Sequence, residues 1–460
     1  MKLADLTIKK HVVAFASIVA AMSSLSVASL AIERVTELPD GTTVEAIYDY
    51  VTVPLRHNDD TEETLQLSYI RVPAETPSTL PPVIYLAGGP GDSGTAALAD
   101  DHLGALLDDL RKTRDVIFLD QRGTGETPSS LDCFLHLQLP LAPAPDIHDR
   151  YRANEALSRQ CAYWLKTSEV DLAAYNVVES ADDIAALVER ALLAGVVGPN
   201  DSFAEPMQLD TVLERLDRLA RDPSMEWPLD ALPTTAVAEA LAHYKTPRRA
   251  SFQDEFGRQI DVDITRDDAV RVLFDDVADG LHWSRLASHI TALGNSDLSD
   301  LAERISHWRK AYANASVKVS NRCKSFATHQ TLSAIEAHSK RSIAGNFLVF
   351  PFPAICDAWG IRPFSDGHRE PVQSHLPVLM IAGNLDAVTP IEDAKRVASS
   401  LTDAVVLEIQ GMGHQAINAY ESIVPVRDMV LAFFNDDPVH SGTYRYDFTF
   451  EPMANQDDGR

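Results

Sequence analysis

The sequence predicts an α/β fold with a mostly parallel sheet, on three observations. Two short apolar runs, Val83 to Leu86 and Val116 to Leu119, end in glycine loops, Gly88-Gly-Pro-Gly91 and Asp120-Gln-Arg-Gly-Thr-Gly125. Buried parallel strands that stop in backbone-exposing turns read this way. A helical pattern separates the two runs, and strand–helix–strand alternation marks a parallel sheet. Far downstream the same pattern returns, with apolar runs at Pro377 to Gly383 and Ala404 to Ile409 on either side of a helix start at Thr389-Pro-Ile-Glu392.

The elements follow in order. Lys2, Lys9 and Lys10 precede an apolar run from Val12 to Met22, then small residues at Ser26-Val-Ala28 and Ser29-Leu-Ala31. Basic, apolar and small-residue regions in that order predict a secretory signal peptide over residues 1–31, cut after Ala28 or Ala31. The apolar run is too short for a permanent membrane anchor. Val44 to Leu55 and Leu65 to Val72 are β-branched and aromatic runs around Arg56-His-Asn-Asp-Asp60, which predicts an edge hairpin. A helix is expected from about Thr95 to Arg111, and another over Arg150 to Lys166. In Tyr175-Asn-Val-Val-Glu-Ser-Ala-Asp-Asp183, Ser180 with Asp183 three residues on is expected to open a helix whose inner face is Ile184, Leu187, Val188 and Ala191.

From about Asp201 to Phe347 the pattern is mainly helical: Met207–Ala220, Thr235–His243, Arg266–Ala278, His282–Leu293 and Leu298–Tyr312, with a hairpin at Ser251–Thr265. Thr389 is expected to cap a helix with Pro390 in its first turn. A helix over Tyr420–Phe434 and an edge strand through Tyr444, Tyr446, Phe448 and Phe450 close the chain.

Composition narrows the function. The 460 residues carry 67 acidic against 40 basic side chains, a net charge of −27, which argues against nucleic acid or anionic membrane as a partner. Four cysteines, Cys133, Cys161, Cys323 and Cys356, follow the expected signal peptide with no metal-ligand spacing, which favours disulfides in a secreted or periplasmic protein. Three pairings are possible. Cys133–Cys161 with Cys323–Cys356, which joins sequence neighbours, is the preferred one.

The two glycine loops together resemble those of α/β-hydrolase peptidases of the proline iminopeptidase and tripeptidyl aminopeptidase type, and the likeness runs from about Val44 to Phe434. It implies an α/β-hydrolase-like sheet flanked by helices, with core segments at 32–200 and 348–438, a helical lid at 201–347 and a tail at 439–460. It also implies catalysis without cofactor or metal. Asp386, in Gly383-Asn-Leu-Asp-Ala-Val-Thr-Pro390, takes the place of the triad acid, and His414, in Gly411-Met-Gly-His414, that of the general base. Gly88, Gly89, Pro90 and Gly91 take the place of the oxyanion loop.

Cys356-Asp-Ala-Trp359 fits the likeness, and three features depart from it. Glu126-Thr127 stands where the family has Arg-Ser, and Cys323 is followed by Lys324-Ser325-Phe326 rather than acidic residues. Above all, none of the 21 glycines begins a Gly-x-Ser-x-Gly motif. After Asp183 the chain reaches Ala191-Leu-Leu-Ala-Gly-Val-Val-Gly-Pro-Asn200 directly, so one central strand–helix–strand step of about 30 residues is missing, and the nucleophile with it. Ser93, the one serine in the glycine loop, is the candidate substitute, although a turn hydrogen bond is its ordinary role. Arg122 reads as a structural ion-pair partner.

Two functions are therefore expected. One is a secreted serine-type aminopeptidase acting on N-terminal peptide or ester bonds, with activity impaired by the lost nucleophile. The other is an inactive relative that binds a peptide or small apolar ligand in a lidded pocket.

Overall fold

The structure, a computed structural model, describes residues 31–450 apart from 40, 59–61, 101–102, 129, 132, 134, 200–204, 313–315, 326–328 and 348. The expected signal peptide lies outside the described residues, Ala31 excepted. The chain is α/β and forms two compact units, one from residues up to 130 with 174–188, the other from 131–173 with 189 onward.

The first unit is built on a five-stranded sheet. Its strands are β1 (Ile32–Glu37), β2 (Thr43–Pro54), β3 (Thr64–Val72), β4 (Val83–Leu86) and β5 (Val116–Leu119), in the order β1-β2-β3-β5-β4. The expected hairpin is β2 with β3, antiparallel from Ile47 opposite Arg71 to Pro54 opposite Thr64. With an unbroken register along β3, Leu65 and Leu67 are buried on one face of the sheet and Ile70 and Val72 on the other. β4 and β5 have the expected bounds and run parallel, Val83 opposite Val116. β1, which the sequence pattern did not single out, adds antiparallel to β2.

Two helices in this unit differ from expectation. Asp100 takes an extended backbone that ends a short 3-10 turn at Ala96–Ala99, so the helix proper is only Gly104–Arg111. The second helix, Val177–Asp182, opens earlier than expected because Asn176 caps it, its Oδ1 accepting from the Val178 and Glu179 amides. Ser180 therefore sits inside the helix, and Leu187, expected on an inner face, is exposed.

In the second unit a small ladder pairs β6 (His136–Gln138) with a strand given below. β7 (Ala191–Ala194) follows, and a hairpin of β8 (Arg248–Gln253) and β9 (Gln259–Ile264) stands at the expected place. β10 (Lys310–Tyr312) pairs with β6, which cuts the expected helix short at Ser299–Trp308. The principal sheet holds β7, β11 (Val378–Gly383), β12 (Ala404–Gln410) and β13 (Gly442–Arg445), all parallel, in the order β13-β12-β11-β7. Every residue of β11 is buried, which explains its uninterrupted apolar sequence. Ala191 to Ala194, which stand where the sequence loses a strand–helix–strand step, pair with Val378 to Ile381. The strands thus form separate sheets, with β4 the terminal strand of one and β7 of the other.

The helices Met207–Ala220, Pro233–Ala242, Arg266–Asp279, Trp283–Gly294 and Ser299–Trp308 share one core. Leu209, Val212, Leu213 and Leu216 show the helical spacing that puts one stripe inside. Thr265 and Asp268 close a capping box at the start of Arg266–Asp279. This core also takes in Leu385 and Ala387 from the loop after β11, and Phe450 from the tail, whose ring stands 4.9 Å from that of Trp227. Both disulfides have the preferred pairing, Cys133–Cys161 and Cys323–Cys356, with Cα atoms 6.0 and 5.5 Å apart. The closing helix is broken into Ala419–Ser422 and Val424–Phe434, with Pro425 in the first turn of the second piece.

Candidate active site

Parallel strands deliver their loops to one end of a sheet, and ligands of open α/β sheets bind outside the carboxyl ends. Asp386 lies three residues beyond the end of β11, and His414 four beyond β12. The structure brings the two together: His414 Nδ1 is 3.0 Å from Asp386 Oδ2.

The carboxylate is fixed by the loop that carries it. Asp386 Oδ1 accepts from the Val388 and Thr389 amides at 2.6 and 2.9 Å, while Oδ2 accepts the Thr389 hydroxyl at 2.7 Å. The Thr389 oxygen also lies 3.1 Å from His414 Nδ1, so the ring N–H is shared between Asp386 and Thr389. Asp386 is 3% exposed and His414 is 35% exposed. With Nδ1 carrying the proton toward Asp386, Nε2 is the acceptor, and among the described residues it has no protein partner. Burial alone pushes the imidazole pKa down, but the Asp386 hydrogen bond and charge together outweigh it and hold the pKa above the ordinary histidine value.

Thr389 does not cap the following helix, although its sequence position predicts that role. That helix is Ile391–Ala398 with Pro390 at its N-cap and no side-chain cap. An Asp followed three residues later by Thr is itself a local hydrogen-bonding motif, and it was the available signal. Thr389→Val is expected to destabilise the protein by about 1–3 kcal/mol, because Asp386 loses a buried donor. Chemical denaturation checks the size of the loss.

The helical insertion holds both loops. Trp283 donates its indole N–H to the Gly411 carbonyl at 3.0 Å, and the Gly413 and His414 amides donate to Gly280 and Ala278. Gly280 and Gly413 pass so closely that a Cβ on Gly280 would stand 2.2 Å from the Gly413 Cα. On the acid side, Arg215 donates to the Asn384 carbonyl and pairs with Glu392. The Leu385 amide in turn reaches the Met412 carbonyl at 2.9 Å, so the acid and histidine loops are tied to each other.

The glycine loop is part of the other unit. Its Gly89–Pro90 bond is cis, and Gly89 and Gly91 have φ of +107° and +111°. Asp120, fully buried, is the hub: it accepts from Ser93, Thr95, Ser68 and the Glu126 amide at 2.7–3.0 Å. Ser93 spends its proton on Asp120 and accepts the Ala96 amide, the ordinary role of a turn serine. Arg122 is buried with all five donors used, on Asp183 twice and on the carbonyls of Pro54, Leu55 and Ala174. His57 Nε2 adds a contact to Asp183 at 2.8 Å. Arg122 is thus the structural ion-pair partner that the sequence predicts, whereas its partners Asp183 and His57 and the role of Asp120 as hub were not legible there. Among the described residues no three His, Cys, Asp or Glu side chains are grouped to hold a metal ion.

Residues 343–442 match the model of the TAP-like protein family. That span, about a fifth of the chain, contains both Asp386 and His414 and is similar to α/β-hydrolases. No curated protein matches the chain. Similar solved structures include a bromoperoxidase from Bacillus anthracis (14% identity, 85% of this chain and 100% of that one, TM-score 0.29). A meta-cleavage product hydrolase from Pseudomonas fluorescens is 13% identical over 81% of this chain and 95% of its own, TM-score 0.31. A serine hydrolase from a Cycloclasticus bacterium is 12% identical over 84% and 98%, TM-score 0.28. At such identities and scores, nothing about this chain's chemistry follows from them.

Proposed function

We propose that this protein is a hydrolase of the aminopeptidase-like branch of the α/β-hydrolases that works without a serine acyl-enzyme. His414 is the general base, and Asp386 with Thr389 orients it. The observation that carries this reading is the buried carboxylate hydrogen-bonded to Nδ1 of an imidazole whose Nε2 is left open among the described residues.

In this reading water replaces serine. Its proton passes to Nε2 as its oxygen forms a bond to the acyl carbon of a peptide or small ester. The bond to the leaving nitrogen or oxygen then breaks, and the imidazolium returns the proton to it. Asp386 stabilises the imidazolium throughout. Without a covalent step the rates are low, because a triad lacking its nucleophile retains only base, binding and electrostatic contributions. The two disulfides suit an oxidising compartment, which supports a secreted or periplasmic location. A ligand-binding role without turnover is the second reading, favoured by the missing Gly-x-Ser-x-Gly.

The test pairs two assays on purified protein: hydrolysis of p-nitrophenyl acetate and aminoacyl anilides, and fluorophosphonate labelling with peptide mapping. Slow turnover with no labelled serine is the expected result. A labelled serine overturns the serine-free mechanism, and folded protein without turnover leaves ligand binding as the function.

A further inference from the structure

We propose that Gly195 stands in the nucleophile position of this site, directly before His414. The inference rests on the reading of His414 as a base and assigns that base its missing partner.

Gly195 is the first residue past β7, which pairs in parallel with β11. It therefore leaves the same end of the same sheet as the Asp386 and His414 loops. A Cβ built on Gly195 stands 3.3 Å from His414 Cε1, 4.0 Å from Nε2 and 3.6 Å from the Thr389 hydroxyl oxygen. A hydroxyl or thiol on that Cβ reaches hydrogen-bond range of Nε2 with a small adjustment of the ring.

The backbone agrees with the placement. Gly195 has φ +65°, a left-handed conformation immediately after a short strand. A nucleophile on a sharp turn at a strand end needs strained backbone of this kind to push its side chain out toward the base. Here the turn is kept by a glycine, which adopts it without strain. The chain thus presents a base, an orienting acid and a bare position facing them. That position carries no side chain in the wild type, and a variant places one against the His414 ring.

Gly195→Cys tests this. The four native cysteines are all in disulfides, so the variant has one free thiol. Alkylation by iodoacetamide at pH 6.5 is expected to run at least about tenfold faster than in Gly195→Cys/His414→Ala, since a neighbouring imidazolium raises the thiolate fraction. Equal rates in the two proteins overturn the proposal. Gly195→Ser gives a second reading: a fluorophosphonate label at residue 195 that requires His414 is expected, and a folded variant that takes no label counts against the placement.

If neither variant folds, the wild type decides by nuclear magnetic resonance. A nuclear Overhauser contact between His414 Hε1 and the Gly195 α-protons is expected, and its absence overturns the placement. The hydrolase reading fails separately. Turnover by the wild type with no thiol activation sinks this inference alone, whereas an activated thiol in a protein without turnover keeps the inference and leaves ligand binding.

Discussion

His414→Ala is expected to lower ester turnover by about 10²- to 10⁴-fold, the range for losing a positioned general base. The pH dependence identifies the cause more sharply than the loss itself. Only the neutral imidazole accepts a proton, so the rate rises with pH through the His414 pKa. Asp386 holds that pKa above its ordinary value even though burial pushes the other way, so the rising limb lies on the alkaline side of the usual histidine range.

Asp386→Asn removes the charge, lets the limb fall back toward lower pH and lowers the plateau because the ring tautomer is no longer fixed. A pH–rate profile of wild type and both variants checks this. A profile unmoved by Asp386→Asn excludes the pair from the chemistry.

The same raised pKa has a consequence for stability, with a definite sign. A group whose pKa is higher in the folded protein contributes stability that is fully present below the unfolded value, near 6.5, and lost as pH rises through the folded value. Wild type is therefore expected to exceed His414→Ala in stability by more at pH 6 than at pH 8.5. Urea denaturation at the two pH values measures the difference.

Arg122→Ala is expected to cost about 3–5 kcal/mol, the penalty for breaking a buried ion pair by removing one partner. The guanidinium is fully buried, and Nε, Nη1 and Nη2 spend all five protons on one carboxylate and three carbonyls. Removing it leaves Asp183, 3% exposed, facing His57 and strands three backbone acceptors. A loss of that size is a large share of the roughly 5–15 kcal/mol that holds a domain together. Arg122→Lys is expected to recover only part of it, because an ammonium has three donors and no planar fork. Thermal unfolding of the two variants gives the order. Near-wild-type stability of Arg122→Ala would contradict the hydrogen-bonding pattern.

Some of this was legible without coordinates. β4, β5, β11 and β12 fall within a residue of the runs read from sequence, because short apolar, β-branched runs bounded by turn-forming residues favour strands, and β11, buried throughout, is apolar throughout. The helix Met207–Ala220 was legible because one buried stripe fixes its period. The cysteine pairing followed sequence neighbours. The candidate acid and base stood out as residues just past strand ends, and the absence of a Gly-x-Ser-x-Gly motif was visible directly.

Contacts between distant residues decided the rest, and no local pattern encodes them. β10 is a strand because β6, more than 170 residues earlier, offers it a ladder. Thr389 serves Asp386 and His414 rather than a helix because the loops after β11 and β12 cross there. Gly195 looks like any glycine after a strand until β7 pairs with β11 and the His414 ring stands over it. By itself the sequence determined the α/β class, the main apolar strands and which residues are the candidate acid and base. Only the tertiary structure decided what surrounds them, because the energies of hydrogen bonds and packing depend on which groups long-range folding brings into contact.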